Sequence, residues 1–244
     1  MKGRKLEIPP HPPLTKGGKR GIFISFEGIE GTGKSTQAKL LHERLMSEGY
    51  EVVLTQEPGG TEIGRKIRKI LLHLDHKEMS LLTELLLYNA DRAQHIHEAI
   101  IPALSEGKIV ITDRFSDSTI AYQGYGRGID INLLKSLDRI ATEGLKPHLT
   151  ILFDLEVETG LMRNRGIKKT DRLADIDTFQ LSFHWGVNKI DRLELEDVRF
   201  HKRVRKGYLR LAAMEPERIK LIKASKGIEE IHREIVRIVE KVLR

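Results

Sequence analysis

From residue 21 onward, short apolar runs alternate with longer stretches in which apolar residues recur every three or four positions. The short runs are rich in β-branched and aromatic residues and predict buried strands at 21–27, 51–55, 108–112, 149–153 and 218–222. Helical periodicity fills the intervals, at about 33–48, 61–72 and 80–104, and again after residue 227. Strands that alternate with helices predict a five-stranded parallel sheet covered on both faces, with ligands beyond the carboxyl ends of the strands. The pattern therefore predicts one α/β domain over residues 21–244.

Composition narrows the class of protein without naming a chemistry. The 244 residues include no cysteine, which excludes disulfides, thiolate metal sites and a cysteine nucleophile. No apolar run approaches the roughly 20 residues of a membrane-spanning helix, so we expect no membrane association. The lack of cysteine fits a reducing compartment, and we expect a cytoplasmic protein.

The net charge of +7 is distributed unevenly along the chain. Residues 1–20 carry a net +5 and half of the eight prolines, which predicts a disordered basic tail rather than part of the fold. Residues 21–161 sum to −6 and residues 162–244 to +8. A basic C-terminal third in a mainly neutral fold suits a segment that closes over phosphates. Because most of the net charge lies in the tail and residues 21–244 carry only +2, we expect no nucleic-acid binding.

A phosphate-binding loop follows the first predicted strand and precedes the first predicted helix. Residues 28–35 match the pattern G-x-x-x-x-G-K-[ST] in full. Glycines let successive backbone N–H groups point at phosphate oxygens, Lys34 bridges the β- and γ-phosphates, and the Ser35 hydroxyl joins the Mg²⁺ shell. The motif predicts that ATP is bound by Gly28, Ile29, Glu30, Gly31, Thr32, Gly33, Lys34, Ser35 and Thr36.

Beyond the loop, motifs from Phe23 to about Leu221 together resemble those of thymidylate kinases, a P-loop nucleoside monophosphate kinase family. The motifs are the loop at 26–35, E-P-G-G-T at 57–61, Y-N-A-D-R-A-Q-H at 88–95, D-R-F-x-x-S-T-x-A-Y-Q-G-x-G-R at 113–127, M-R-x-R-G at 162–166 and D-R-L-E at 191–194. In this order they are highly specific. The resemblance implies the P-loop NTPase fold with a mobile lid.

The resemblance also implies which residues meet the second substrate, dTMP. Arg68 and Arg114 would grip its phosphate, and Asp113, at the end of a strand, would bind Mg²⁺ together with Ser35. Tyr88 and Arg92 share a helical face. Tyr88 would stack on thymine, and Arg92 would contact the O4 of the base. The further residues implied for dTMP binding are Glu57, Thr119, Tyr122 and Gln123.

The predicted lid spans about residues 162–191. The resemblance implies that one further cation lies either in the phosphate loop or in the lid. Glu30 in the loop is acidic, so the resemblance implies Arg163 and Arg165 as the lid cations that cover the transferring group. Residues 171–190 form an insertion relative to the family pattern, with one D-R string at 171–172 and a second at 191–192. Which of the two pairs is functional stays open at this point.

These features together predict an enzyme that transfers the γ-phosphoryl of ATP to dTMP, giving dTDP and ADP. Lys34, Arg114, Arg163 and Arg165 would act directly, with Mg²⁺ as cofactor, and the family implies a homodimer. Three alternatives remain: a related kinase with another acceptor, a catalytically silent nucleotide sensor, and a DNA-binding ATPase that only the net charge favours. The presence of Lys34, Asp113 and Arg114 counts against the sensor.

Overall fold

The computed structural model describes residues 21–164 and 192–243. Within these ranges one parallel sheet runs in the order β2-β3-β1-β4-β5. Its strands are β1 Ile22–Gly28, β2 Val52–Gln56, β3 Ile109–Asp113, β4 Leu149–Asp154 and β5 Ile219–Lys223. Every predicted strand is present with bounds that differ by at most one residue. The expected five-stranded parallel sheet is thus confirmed.

Helices connect the strands and cover both faces of the sheet. They are α1 Lys34–Ser47, α2 Glu62–Leu72, α3 Leu81–His95, α4 Ile101–Ser105, α5 Ser116–Thr119, α6 Ile131–Ala141, α7 Val157–Asn164, α8 Val198–Met214 and α9 Ile228–Leu243. Side chains cap several N-termini: Thr61 accepts from the Gly64 N–H and Ser80 from the Thr83 N–H. These caps begin α2 and α3 close to where the periodicity predicted them.

Two π-helical segments interrupt the helical stretches of residues 21–164 and 192–243. The helix predicted over 80–104 widens at Ile96–Ile100, just before Pro102, which has no N–H to continue the usual ladder. Ile120–Gly126 forms a second π-helical segment directly after α5. The sequence pattern did not predict this one, although it carries Tyr122 and Gln123.

The core lies on both faces of the sheet, so the strands read as continuous apolar runs. On β1, Ile24 and Phe26 pack with α1 and α9 on one face, whereas Phe23 packs with Ile100 on the other. The buried Ser25 hydroxyl is hydrogen-bonded to that of Thr150 at 2.8 Å, which satisfies the polar atoms between β1 and β4. The central strand is therefore packed on both faces along its length up to the phosphate loop.

The phosphate loop and α7 touch through their backbones. A Cβ atom built on Gly31, whose φ is +69°, would lie 2.0 Å from the Gly160 carbonyl oxygen. One built on Gly160 would lie 2.6 Å from the Glu30 carbonyl oxygen. Only glycine permits this approach, so α7 is placed directly against the loop.

No helix in residues 21–164 or 192–243 is long and apolar enough to cross a membrane.

We expect Gly160→Ala to destabilise the fold by about 1–3 kcal/mol, because its methyl group would overlap backbone that cannot move aside without shifting the loop. Urea denaturation measures the change. Gly227→Ala is the matched control, since a Cβ there would meet no atom within 4 Å. Equal stabilities for the two variants would contradict the close packing of α7 on the loop.

Candidate active site

A cleft of about 420 Å³ opens at the carboxyl ends of β1 and β3. Chain connections leave the sheet in opposite directions around β1, which is the position where open α/β sheets bind ligands. Most of the site residues predicted from the sequence line this cleft: Glu30, Gly31, Gly33, Lys34, Ser35, Thr36, Glu57, Arg68, Tyr88, Arg92, Asp113, Arg114, Thr119, Tyr122 and Gln123.

The phosphate loop turns tightly between β1 and α1. Gly28, Gly31 and Gly33 all have positive φ, at 139°, 69° and 88°. The Lys34 ammonium donates to the Ile29 carbonyl oxygen at 2.8 Å, which folds its side chain over the loop. The loop thus presents backbone N–H groups, a helix N-terminus and one ammonium group, which together suit a polyphosphate.

Lys34 is nearly fully buried, with 7% of its surface exposed. Burial and the neighbouring Arg114 charge lower the pKa of Lys34 to about 8, although Asp113 and Glu30 oppose the shift. No hydrogen bond joins its ammonium to a carboxylate among the described residues. Bound phosphates would supply the missing negative charge and raise that pKa.

Ser35 and Asp113 meet at the junction of α1 and β3. The Ser35 hydroxyl donates to a carboxylate oxygen of Asp113. Hydroxyl and carboxylate oxygens are the ligands that Mg²⁺ prefers, and this ion usually takes few protein ligands and completes its shell with water and phosphate oxygens. The pair fits the predicted metal position, and no larger cluster of metal-binding side chains occurs in the part of the chain that the structure describes.

Arg114 reaches across the cleft to the phosphate loop. Its backbone has φ 75°, an uncommon left-handed conformation for a residue other than glycine. Its guanidinium donates to the Gly28 carbonyl oxygen and to Glu30 Oε1, each at 2.9 Å. The turn after β3 therefore places the Arg114 guanidinium beside the phosphate loop.

The Glu30 carboxylate accepts a hydrogen bond from Arg114 and so fixes the position of its guanidinium. Burial opposes its ionisation, but the His201 ring and the charges of Arg114 and Lys34 outweigh it and lower the pKa of Glu30. Its Oε1 also accepts from the Tyr122 hydroxyl at 2.5 Å. Glu30 is thus a carboxylate at neutral pH that orients two of the predicted dTMP-binding residues.

Arg92 lies at the far end of the cleft and is 2% exposed. Its Nε donates to Glu57 Oε2 and its Nη1 to Thr119 Oγ1, both at 2.9 Å. Glu57 Oε1 lies 2.9 Å from Nδ1 of His95, which fixes the carboxylate in turn. Tyr88 lines the cleft one helical turn away from Arg92. A planar ring beside a held guanidinium suits a nucleobase with a carbonyl edge.

Comparison with known proteins identifies the group to which this architecture belongs. The family profile described as thymidylate kinase matches residues 26–193. The thymidylate kinase of Halothermothrix orenii is 50% identical over 88% of this chain and 95% of its own length. The chain belongs to the thymidylate kinase family.

Another relative and a solved structure are also thymidylate kinases. The thymidylate kinase of Geotalea uraniireducens is 49% identical over 86% of this chain and 92% of its own length. The crystal structure of thymidylate kinase from Ehrlichia chaffeensis superposes with a TM-score of 0.67 at 34% identity and covers 91% of this chain and 99% of that one. The P-loop fold expected from the sequence is confirmed.

Some predicted residues of this family member lie outside the cleft lining. Gly28, Ile29 and Thr32 shape the loop from behind: the Ile29 carbonyl oxygen accepts from Lys34 and from the Thr32 hydroxyl. Arg163 is exposed and donates to the Ala224 carbonyl oxygen at 2.9 Å, beyond the end of β5. Arg165, the insertion at 171–190 and the D-R pair at 171–172 lie outside the described residues.

The second D-R string is partly described, and it belongs to the site. The Arg192 guanidinium is 8% exposed and donates to the Leu71 carbonyl oxygen and to Glu84, at 3.1 and 2.6 Å. Leu193 and Glu194 line the cleft. The segment that follows the predicted insertion therefore forms part of the cleft wall.

The sequence reasoning missed a buried carboxylate, Glu27, at the end of β1. It accepts from the Phe115 N–H at 2.7 Å, from the Ser118 hydroxyl at 2.6 Å and from the Tyr208 hydroxyl at 2.9 Å. Burial and the nearby charge of Asp117 raise the pKa of Glu27 to about 7. A lone acid at the end of an apolar strand was the signal available in the sequence. Its role is to tie α5 and α8 to the strand that carries the loop.

We expect the affinity for ATP to fall as the pH rises above 8. Below that pH Lys34 is already a cation, whereas above it binding must take up a proton, which costs up to about tenfold in affinity per pH unit. Calorimetric titration with a non-hydrolysable ATP analogue from pH 7 to 9.5, in buffers of different ionisation enthalpy, measures both the affinity and the proton uptake. In Lys34→Arg the cation persists, so this pH dependence should disappear. A constant affinity without proton uptake in the unaltered protein would show that Lys34 is not the titrating group.

Proposed function

We propose that ATP and dTMP bind at opposite ends of the cleft and that the γ-phosphoryl passes directly from ATP to dTMP, giving dTDP and ADP. The family is that of an ATP-dependent nucleoside monophosphate kinase, and the named relatives are thymidylate kinases. The observation that carries the proposal is the continuity of the cleft, which joins a phosphate loop at Lys34 to a base-sized end at Tyr88 and Arg92.

The donor half is the phosphate loop. Loop N–H groups and Lys34 would hold the β- and γ-phosphates of ATP, and the N-terminus of α1 adds its positive end. Ser35 and Asp113 would hold Mg²⁺. This ion would neutralise charge on the donor phosphates during transfer.

The acceptor half is built from two arginines and an aromatic plate. Arg68 donates to the Pro58 carbonyl oxygen at 2.8 Å and lines the cleft, so its guanidinium is held at the mouth. Arg68 and Arg114 would bind the dTMP phosphate, while Tyr88 would stack on thymine. Glu57 acts through Arg92, whose remaining N–H groups would meet the O4 of the base.

Direct transfer suits this set of groups. The attacking oxygen belongs to a phosphate that is already an anion, so no strong base is needed. The protein must instead bring two anions together and neutralise their charge, which is what fixed cations in a closed cleft achieve. We assign the covering of the transferring group to the lid arginines Arg163 and Arg165, within a lid at about 162–191 of a domain that spans 21–244.

The homodimer expected from the resemblance has a candidate surface. Helices α2, α3 and α6 are neighbours, and each exposes large apolar side chains. The exposed set is Ile63, Ile70, Leu82, Leu86, Leu133 and Ile140. We propose that this surface pairs two copies of the chain, since a monomer gains nothing by exposing it to water.

A cytoplasmic location and the absence of nucleic-acid binding stay predictions.

The acceptor is tested by a coupled assay of ADP release with dTMP, dUMP, UMP, CMP and GMP. We expect the highest kcat/KM with dTMP, and we expect Lys34→Ala to abolish transfer while the circular dichroism spectrum is unchanged. Turnover that favours UMP or CMP would assign a different acceptor. ATP binding without transfer to any nucleotide would favour a sensor.

The dimer is tested by light scattering after gel filtration. The double variant Leu82→Glu and Leu86→Glu should have the mass of one chain, because carboxylates would be buried in the interface. Met214→Glu, an equally exposed apolar position on α8, should keep the mass of two chains. A single-chain mass for the unaltered protein would contradict the proposed surface.

A further inference from the structure

A buried carboxylate outside the cleft lining contacts the base-facing end of the site. Glu84, in the first turn of α3, is fully buried. Its Oε1 accepts from Gln123 Nε2 at 2.9 Å. Arg127 donates to both carboxylate oxygens, at 3.3 and 3.2 Å, and Arg192 donates to Oε2 at 2.6 Å. One amide and two guanidinium groups thus surround this carboxylate.

The surroundings keep Glu84 ionised. Burial alone would favour the neutral acid, but the Gln123 hydrogen bond and the charges of Arg127 and Arg192 outweigh it and lower the pKa of Glu84. An ionised carboxylate can only accept hydrogen bonds. The group that Gln123 turns toward Glu84 must therefore be its NH₂, and the two ends of the amide are not interchangeable.

The other end of the amide follows from this constraint. Gln123 lines the cleft, and because its NH₂ end is turned toward Glu84, the carbonyl oxygen at the opposite end of the amide is the acceptor that it offers to a ligand. Arg92, which lines the same end, offers only donors. A base that fits both must present a carbonyl oxygen to Arg92 and an N–H to Gln123. The imide edge of thymine or uracil does so, whereas cytosine presents an amino group and an unprotonated ring nitrogen.

We propose that Glu84 is a positioning residue that selects the imide edge of the acceptor base by fixing the orientation of the Gln123 amide. The inference rests on the proposed function, since it concerns the acceptor end of that site. Glu84 does not touch the nucleotide. It acts through Gln123, and Arg127 and Arg192 keep it charged.

The bonds that hold the two arginines support this role. Arg127 also donates to Glu196 at 2.6 Å, and Arg192 also donates to the Leu71 carbonyl oxygen. Arg127 is therefore also held by the segment before α8, and Arg192 by α2. A carboxylate held from two sides cannot rotate away when a base arrives, so the amide orientation persists in the complex.

The test compares substrates that differ only at this edge. Both dUMP and dCMP lack the 5-methyl group, so the ratio of their kcat/KM values reports the edge alone. We expect a ratio above about 100 for the unaltered protein, because a wrong edge leaves buried polar groups unpaired. In Glu84→Gln the neutral amide can donate as well as accept, so the Gln123 amide can rotate and present either end to the base. The ratio of kcat/KM for dUMP to that for dCMP should then fall at least tenfold, while KM for ATP is unchanged.

Glu84→Asp is the second variant. It keeps the charge that Arg127 and Arg192 need but withdraws the carboxylate by one methylene group, so we expect it also to lower the ratio. Val239→Ala, in the core on α9, is the control for lost stability. Both substrates use the same folded fraction, so a purely structural loss lowers both rates and leaves the ratio unchanged.

The outcomes separate the two levels of the inference. If the unaltered protein phosphorylates neither dTMP nor dUMP, the proposed function is wrong. If it does, but the ratio in both Glu84 variants stays within twofold of the original, the role of Glu84 alone is overturned. If neither variant folds, the test is made on the unaltered protein alone. A kcat/KM for dCMP within tenfold of that for dUMP would then contradict a fixed orientation of the Gln123 amide.

Discussion

The site depends on carboxylates that hold cations and donors in place before a substrate arrives. Glu30 holds Arg114, Glu57 holds Arg92, and Glu84 is held between Arg127 and Arg192. Such buried ion pairs contribute little net stability, because the cost of removing both charges from water offsets their attraction. What they provide is orientation: Arg92 and Arg114 are held at the cleft by their carboxylates, and Glu84 holds Gln123 there. Groups fixed in this way need little reordering when a ligand binds.

Lys34 is the exception that completes the pattern. Its ammonium donates to a backbone carbonyl and a hydroxyl rather than to a carboxylate, and burial together with the Arg114 charge lowers its pKa. A lysine paired with a carboxylate would have to give up that partner when ATP binds. An underpaired ammonium instead gains a partner from the donor phosphates. In the proposed function the two substrates are therefore bound differently: arginines that are already fixed bind the acceptor, whereas the Lys34 ammonium gains its partner from the donor.

The sequence predicted the parts of this site that depend on local chain geometry. The phosphate loop, the strand ends and the face shared by Tyr88 and Arg92 follow from spacing and periodicity, and the structure places them in one cleft. The sequence did not predict the ion pairs and hydrogen bonds between distant positions, because 108 residues separate Glu84 from Arg192 and 181 separate Glu27 from Tyr208. No local pattern marks such partners. The π-helical segment at Ile120–Gly126 was missed for a related reason, since it is stabilised by packing against α8 rather than by its own sequence.

The same pairs change the meaning of the charge distribution. Residues 21–161 carry a net −6, which by itself would oppose the binding of two anionic nucleotides. Yet Glu27, Glu30, Glu57 and Glu84 are among those acids, and each is almost fully buried and bonded to an arginine or to hydroxyl and backbone donors. The negative charges of Glu30, Glu57 and Glu84 are therefore compensated by arginines inside the protein, and burial raises the pKa of Glu27, which reduces its charge at neutral pH. Arg92 and Arg114, in contrast, line the cleft. The net charge summed over residues 21–161 thus gives the wrong sign for the electrostatic potential in the cleft. That potential depends on which member of each ion pair faces the ligand.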